Sequence, residues 1–141
     1  MTTPRGLRNN NPLNIEKSKG GNPWQGEIVP SKDSRFAQFR TVTYGYRAAF
    51  KLLNNYQRNY GLDTIRKMIT RWAPPSDKGN DTEAYIRAVS TRSGVPADCH
   101  ITTTNRDVMV PIVAAMSFVE NQVEAKMFDV QAGWDLFIQN R

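Results

Sequence analysis

From Thr43 onward the apolar residues of this chain recur every three or four positions, and most of the runs end at a residue that stops helices. That period marks one face of an α-helix, so helices must supply most of the core. Tyr44, Ala48, Leu52, Tyr56 and Tyr60 form the first stripe, with Ala49 and Leu53 beside them. Thr43 is placed to cap its start and Gly61 stands where it should stop. A second stripe, Ile65, Met68, Ile69 and Trp72, follows Asp63 as its cap and ends at Pro74 and Pro75, which lack the amide hydrogen a helix needs. The segment DTEAYIRAVSTRSG opens on Asp81 as cap, buries Tyr85, Ile86 and Val89, and closes at Gly94. NRDVMVPIVAAMSFVENQ is the most apolar helix, with Val108, Ile112, Ala115, Met116 and Val119 inward. Pro111 belongs in its first turn or at a kink. The last helix, DVQAGWDLFIQN, turns Val130, Trp134, Phe137 and Ile138 to the core.

The first third reads differently. Residues 5–23 are polar and rich in Gly, Asn and Pro, hence irregular, and the stretch RGLRNNNPLNI suits neither a core strand nor a helix. In WQGEIVPSKDSRFAQF, Trp24, Ile28, Phe36 and Phe39 flank a turn-forming PSKDS, which predicts a small hairpin, with Pro30 at or near the end of its first strand. The expected architecture is a mainly α, α+β domain of about five helices and one small β-hairpin, a single unit over residues 1–141.

Bulk properties narrow the function classes. The net charge of +6 favours acidic partners such as nucleic acid, anionic membrane or cell wall, but the Lys and Arg residues are scattered and form no nucleic-acid stripe. One cysteine, Cys99, excludes an intrachain disulfide. With His100 as the only histidine, no metal site or cofactor is expected. No run approaches the length of a membrane span. MTTPRGLRNN lacks the apolar segment of a secretory signal. These features suit synthesis in a cytoplasm and predict no nucleic-acid partner; a chain of this kind that works outside must be carried or released by something else. A monomer is expected.

Two features are chemically unusual. RGLRNNNPLNI packs four asparagines and two arginines into eleven residues. Asparagine amides both donate and accept, so the run either braces a loop or meets a polyol ligand. The second feature is Glu120 in SFVENQ, near the end of the apolar helix. Desolvation there would raise its pKa, as a general acid requires; the plainer alternative is a solvated glutamate at a frayed helix end. Glu27 and Asp33 lie in the predicted hairpin, Glu16 reads as a surface charge and Asp81 as a cap.

The motifs RGLRNNNPLNI, WQG, FAQF, YGYRAAF, YGLDTI, WAPP and DTEAY, in this order from Arg5 to Glu120, resemble a phage and prophage family often labelled a virion or structural protein. The same block resembles lysozyme-like peptidoglycan hydrolases, in which a segment like Asn14–Ile15 precedes W-x-G, a hairpin and an F-x-x-Y element. In those enzymes the catalytic glutamate lies upstream of the block. In the phage family a C-terminal H-E-N-G-like sequence looks like that glutamate helix moved by circular permutation. Here it reads FVENQ, with Phe118 and Gln122 departing from the pattern.

The resemblance implies a lysozyme-like fold and cleavage of the glycan strand of peptidoglycan, by a muramidase or a lytic transglycosylase, with Glu120 as general acid. Asp33, with Glu27 behind it, would be the second carboxylate of a hydrolase. Asn10, Asn11 and Asn14 would line the glycan cleft, with Arg8 and Arg5 meeting muropeptide carboxylates or bracing the loop. Tyr44, Trp72 and Tyr85 would offer flat faces to sugar rings, Trp72 also suiting the core. The alternative is a non-enzymatic virion or wall-binding protein on the same fold.

Overall fold

A computed structural model describes residues 3–19, 21–77 and 79–140; Met1, Thr2, Gly20, Arg141 and Lys78 of the expected 76–80 loop lie outside the described residues. Among these, six helices and one two-stranded antiparallel sheet form: α1 (Arg5–Arg8), β1 (Glu27–Ile28), β2 (Gln38–Phe39), α2 (Val42–Tyr60), α3 (Ile65–Trp72), α4 (Thr82–Ser93), α5 (Arg106–Asn121) and α6 (Met127–Gln139). The helix beyond the expected five is α1, a single turn inside the stretch read as irregular. The hairpin is present but short: Glu27 faces Phe39 and Ile28 faces Gln38, and a bridge between Glu16 and Phe36 extends it.

The helix stops fall where the sequence places them. Gly61 and Gly94 take left-handed backbone at φ 66° and 76° and close α2 and α4, a conformation glycine adopts without a Cβ penalty. Asp81 caps α4 by accepting from the Ala84 N–H at 3.0 Å. Two starts differ from expectation. α2 begins after Thr41 rather than at Thr43. α3 is capped by Thr64, which accepts from the Lys67 N–H. Asp63 is drawn away from capping by Lys67 at 3.1 Å and by the His100 ring at 2.8 Å. Pro111 is the sixth residue of α5, beyond its first turn, so the helix forgoes one backbone hydrogen bond there.

α2 is the central element and packs chiefly against α6, while α5 packs on α4 and α4 on α3. Gly133 of α6 lies so close to α2 that a Cβ would come within 2.5 Å of Tyr46 Cβ. Phe50 meets Trp134 edge-on at 5.0 Å and stacks on Phe137. Arg47, buried on the same face, donates to the Asn140 carbonyl at the end of α6. The buried face of α2 is therefore Tyr46, Ala49, Phe50 and Leu53, with Ala48. Of the stripe read from the sequence, Ala48 and its neighbours Ala49 and Leu53 belong to this face, and the larger side chains lie to one side of it. Tyr44, Leu52 and Tyr56 are half-buried and Tyr60 is exposed, as is Ile138 of α6. No helix among the described residues is long and apolar enough to cross a membrane.

Candidate functional site

The asparagine loop is built by division of labour among its amides. Asn11 is fully buried. Its Nδ2 donates to the Ile15 and Ala37 carbonyls at 2.8 and 2.9 Å, and its Oδ1 accepts from the Ile15 N–H at 2.9 Å. Asn10 donates to the Phe39 and Arg40 carbonyls, and Asn9 to Asp33. These three tie the loop to the hairpin. Asn10 and Asn14 both adopt left-handed backbone, φ 52°, which asparagine tolerates better than other residues with a side chain. Asn14 alone turns its amide the other way, and its Nδ2 donates to Glu120 Oε1 at 2.8 Å.

Glu120 arrives from the opposite end of the chain. It is the penultimate residue of α5, and Asn121 beside it donates to the Pro12 carbonyl at 2.7 Å and the Ser117 carbonyl at 2.9 Å. That clamp fixes the loop against the helix that carries the glutamate. Tyr85 of α4 donates its hydroxyl to Glu120 Oε2 at 2.9 Å. Both carboxylate oxygens thus accept from neutral donors, and among the described residues none forms an ion pair with the group. Burial pushes the Glu120 carboxyl above its ordinary range, against the pull of Asn14, Tyr85 and the Trp72 indole toward the charged form. The last turn of α5 holds no basic residue to offset the charge at this helix end. Burial and the Glu120 charge push the Tyr85 hydroxyl well up, so it stays a donor.

These groups open onto a cleft of about 420 Å³. Asn14 to Lys19 form one side with Trp24 and Phe36 of the hairpin region; Leu52 and Tyr56 of α2, Trp72 of α3 and Tyr85 of α4 form the other, with Glu120 between them. It is an aromatic, polar-rimmed trough with one half-buried acid. Gln122, where the resembling sequences have glycine, takes φ 55° and closes α5 in the left-handed conformation that glycine would supply. Its Nε2 donates to the Val119 carbonyl at 3.0 Å. The helix end beneath Glu120 therefore keeps its shape despite the departure. Phe118, where those sequences have histidine, lies under the Arg92 guanidinium, 3.6 Å from its ring centre.

No protein-family model matches the chain. Protein P5 of Pseudoalteromonas phage PM2 is 40% identical to it over 126 residues, which make up 89% of this chain and 76% of that protein. The chain belongs to the P5 family. It is a family of phage proteins, as the motif order suggests, and the name P5 states no activity, so the chemistry has to come from the site.

In this P5-family chain the other expected site residues fall outside the cleft. Asp33 accepts from Arg5 Nε and Nη2 at 2.7 Å each, from Asn9 Nδ2 at 3.0 Å, and from the Arg35 and Phe36 N–H groups at 2.8 Å. The Arg5 guanidinium, followed by the Phe36 N–H, holds its carboxyl well below the usual range. Five donors leave it no lone pair for a water, and it does not line the cleft. Asp33 is a brace, and the second-carboxylate role expected of it has no geometric support. Glu27 accepts from the Trp24 and Ser18 N–H groups and closes a turn. Asn10 and Asn11 are likewise braces. Arg8 donates to the Thr3 carbonyl, Arg5 is tied to Asp33, and the Tyr44 ring covers Gly26, where a Cβ would meet it at 2.2 Å. Asn14, Trp72, Tyr85 and Glu120 line the same cleft. Sequence reasoning missed Tyr56, Leu52 and Trp24 as cleft walls. It also missed Asp77, which lines the cleft with Glu16, itself paired to Arg35 at 3.0 Å. Among the described residues no three His, Cys, Asp or Glu side chains gather as a metal site.

Proposed function

We propose that this P5-family chain cleaves the glycan strand of bacterial peptidoglycan on a lysozyme-like fold, with Glu120 as general acid. The observation that carries the reading is the state of Glu120. It is a half-buried carboxyl at a helix end, held by neutral donors from the asparagine loop and from α4 and facing an aromatic trough beside the hairpin. Burial keeps a proton on it closer to neutral pH, and that proton is transferred to the glycosidic oxygen as the bond to the sugar breaks. Asn14 and Tyr85 then stabilise the carboxylate left behind. Trp72, Tyr56 and Trp24 suit the faces of sugar rings.

The trough favours a lytic transglycosylase over a hydrolase. With Asp33 tied into its brace, Glu120 is the one acid in the cleft shielded from solvent; Glu16 and Asp77 are exposed. A transglycosylase manages with one carboxylate. After protonating the leaving oxygen, Glu120 takes the proton of the sugar's own 6-hydroxyl, whose oxygen closes on the anomeric carbon to give a 1,6-anhydro end. A hydrolase would deliver water instead, with Glu16 or Asp77 near its path. The reading needs neither metal nor cofactor. It fits a phage-associated protein made in the host cytoplasm that reaches the wall on release or inside a virion.

The test is incubation of purified peptidoglycan with the protein and mass analysis of what is released. Anhydro-muropeptides support the reading as written, and hydrated reducing ends keep the cleavage while replacing the transglycosylase by a hydrolase. No release by folded protein from walls of a susceptible host favours a wall-binding or virion structural protein.

A further inference from the structure

A second groove, of about 770 Å³, runs between α4 and the end of α5. Its bed is Ala84 and Ala88, small residues one turn apart on α4, and its far wall is Phe118, Val119 and Gln122 of α5. It joins the cleft at Ala73, Asn80 and Tyr85, which line both. The two cavities therefore meet at Tyr85, the residue bonded to Glu120, and the groove leaves the cleft as a branch where the acid stands.

The charges along this branch are unequal. Arg87 stands on the groove face of α4, exposed, and makes no hydrogen bond or ion pair among the described residues. The other arginine of the helix is engaged: Arg92 lies over Phe118 and pairs with Glu124. The one acid of the groove, Asp81, directs its carboxylate to the N–H of Ala84 as a cap. The groove thus offers a free guanidinium beside an apolar bed, which suits an extended chain that carries a carboxylate.

We propose that this groove holds the acidic peptide stem of the wall polymer, with Arg87 binding a stem carboxylate. The proposal rests on the reading of the cleft as a glycan site. The stem branches from the glycan strand at the sugar whose bond is broken, and the groove branches from the cleft at Tyr85. It also moves stem recognition away from Arg5 and Arg8, whose guanidiniums are occupied by Asp33 and the Thr3 carbonyl.

Two measurements test it, one independent of cleavage. In the first, a soluble muramyl tripeptide and the same sugar without peptide are titrated into the protein and followed by amide shifts. The peptide-bearing ligand should move the signals of Ala88 and Thr91 and bind about tenfold more tightly than the bare sugar, and Arg87→Ala should remove that difference while Arg87→Lys restores part of it. Equal binding of the two ligands, or an advantage that survives Arg87→Ala, overturns the proposal. In the second, intact peptidoglycan is compared with strands stripped of stems by an amidase. The ratio of the two release rates should fall about tenfold in Arg87→Ala, and an unchanged ratio overturns the proposal. Absence of cleavage on both substrates counts against the glycan-cleaving function, and the titration still decides the groove.

Discussion

Replacing Gly6 by alanine tests whether the asparagine loop is what holds Glu120 in place. Gly6 sits inside α1 without positive φ, so alanine is acceptable to the backbone and only space opposes it. A Cβ there would lie 2.7 Å from Asn121 Oδ1, 2.8 Å from the Asn11 carbonyl and 2.9 Å from Asn14 Oδ1. Close carbon–oxygen approaches are normally about 3.3 Å or longer, so all three oxygens must retreat by roughly half an ångström. None can swing away freely. Asn14 and Asn121 are fixed through their own Nδ2 atoms to Glu120 and the Pro12 carbonyl, and both Oδ1 atoms are buried with no other partner. Overpacking of this kind costs about 1–3 kcal/mol, and the lower chain entropy of unfolded alanine offsets about 0.4–1 kcal/mol of it. The net loss of about 1–2 kcal/mol corresponds to a drop of about 3–8 °C in melting temperature for a domain of this size. Because Asn14 must withdraw, release of muropeptides should fall further, by about tenfold. Thermal unfolding by circular dichroism and wall digestion read the two effects. A melting temperature equal to or above wild type, the result helix propensity alone would give, refutes the packing argument.

Asp33→Asn should lower the melting temperature at pH 7, because Arg5 first and the Phe36 N–H second hold the folded carboxyl below its unfolded value. Stability from such a group is present above the unfolded pKa, about 3.9, and is lost as pH falls through the folded one. The gap from wild type should therefore narrow in strong acid, and a gap independent of pH would show that the brace is not electrostatic. Glu120→Gln has the opposite sign. Burial raises the folded carboxyl, so its contribution is present below the unfolded pKa and lost as pH rises through the folded one. The variant should melt at or above wild type at pH 7 and lose that advantage below about pH 4; a variant less stable at pH 7 would mean that its hydrogen bonds outweigh burial.

The helices from α3 to α6 were readable because their stops are local: Pro74, Gly94 and the Asp81 cap act within a few residues of sequence. The half-buried side of α2 was misread because Leu52 and Tyr56 keep helical spacing yet wall a cleft, while α6, distant in sequence, covers the Phe50 face. Thr64 rather than Asp63 caps α3 because His100, thirty-seven residues away, competes for the aspartate. Glu120 was legible as a carboxylate near the end of an apolar helix, whereas Trp72 and Tyr85 have the helical spacing of core side chains and only the fold sets them beside it in the cleft. The roles within RGLRNNNPLNI were not. Four asparagines look alike in sequence, and only the backbone turn at Asn14 separates the one that reaches Glu120 from the three that brace the hairpin. The brace at Asp33 was hidden for the same reason, since three of its five donors come from Arg5 and Asn9, more than twenty residues away. Arg87 looked like one of many scattered cations until the groove beside it gave it a setting.

The most direct test is digestion of purified peptidoglycan by wild-type protein and Glu120→Gln side by side, with folding of both verified and the products read by mass. Anhydro-muropeptides from the wild type and none from the variant are the expected result, because the glutamine keeps the shape and can accept from Asn14 while its amide donates to a turned Tyr85 hydroxyl, but it has no acidic proton to give. Release undiminished in Glu120→Gln would contradict the assignment of the acid and with it the reading of the cleft.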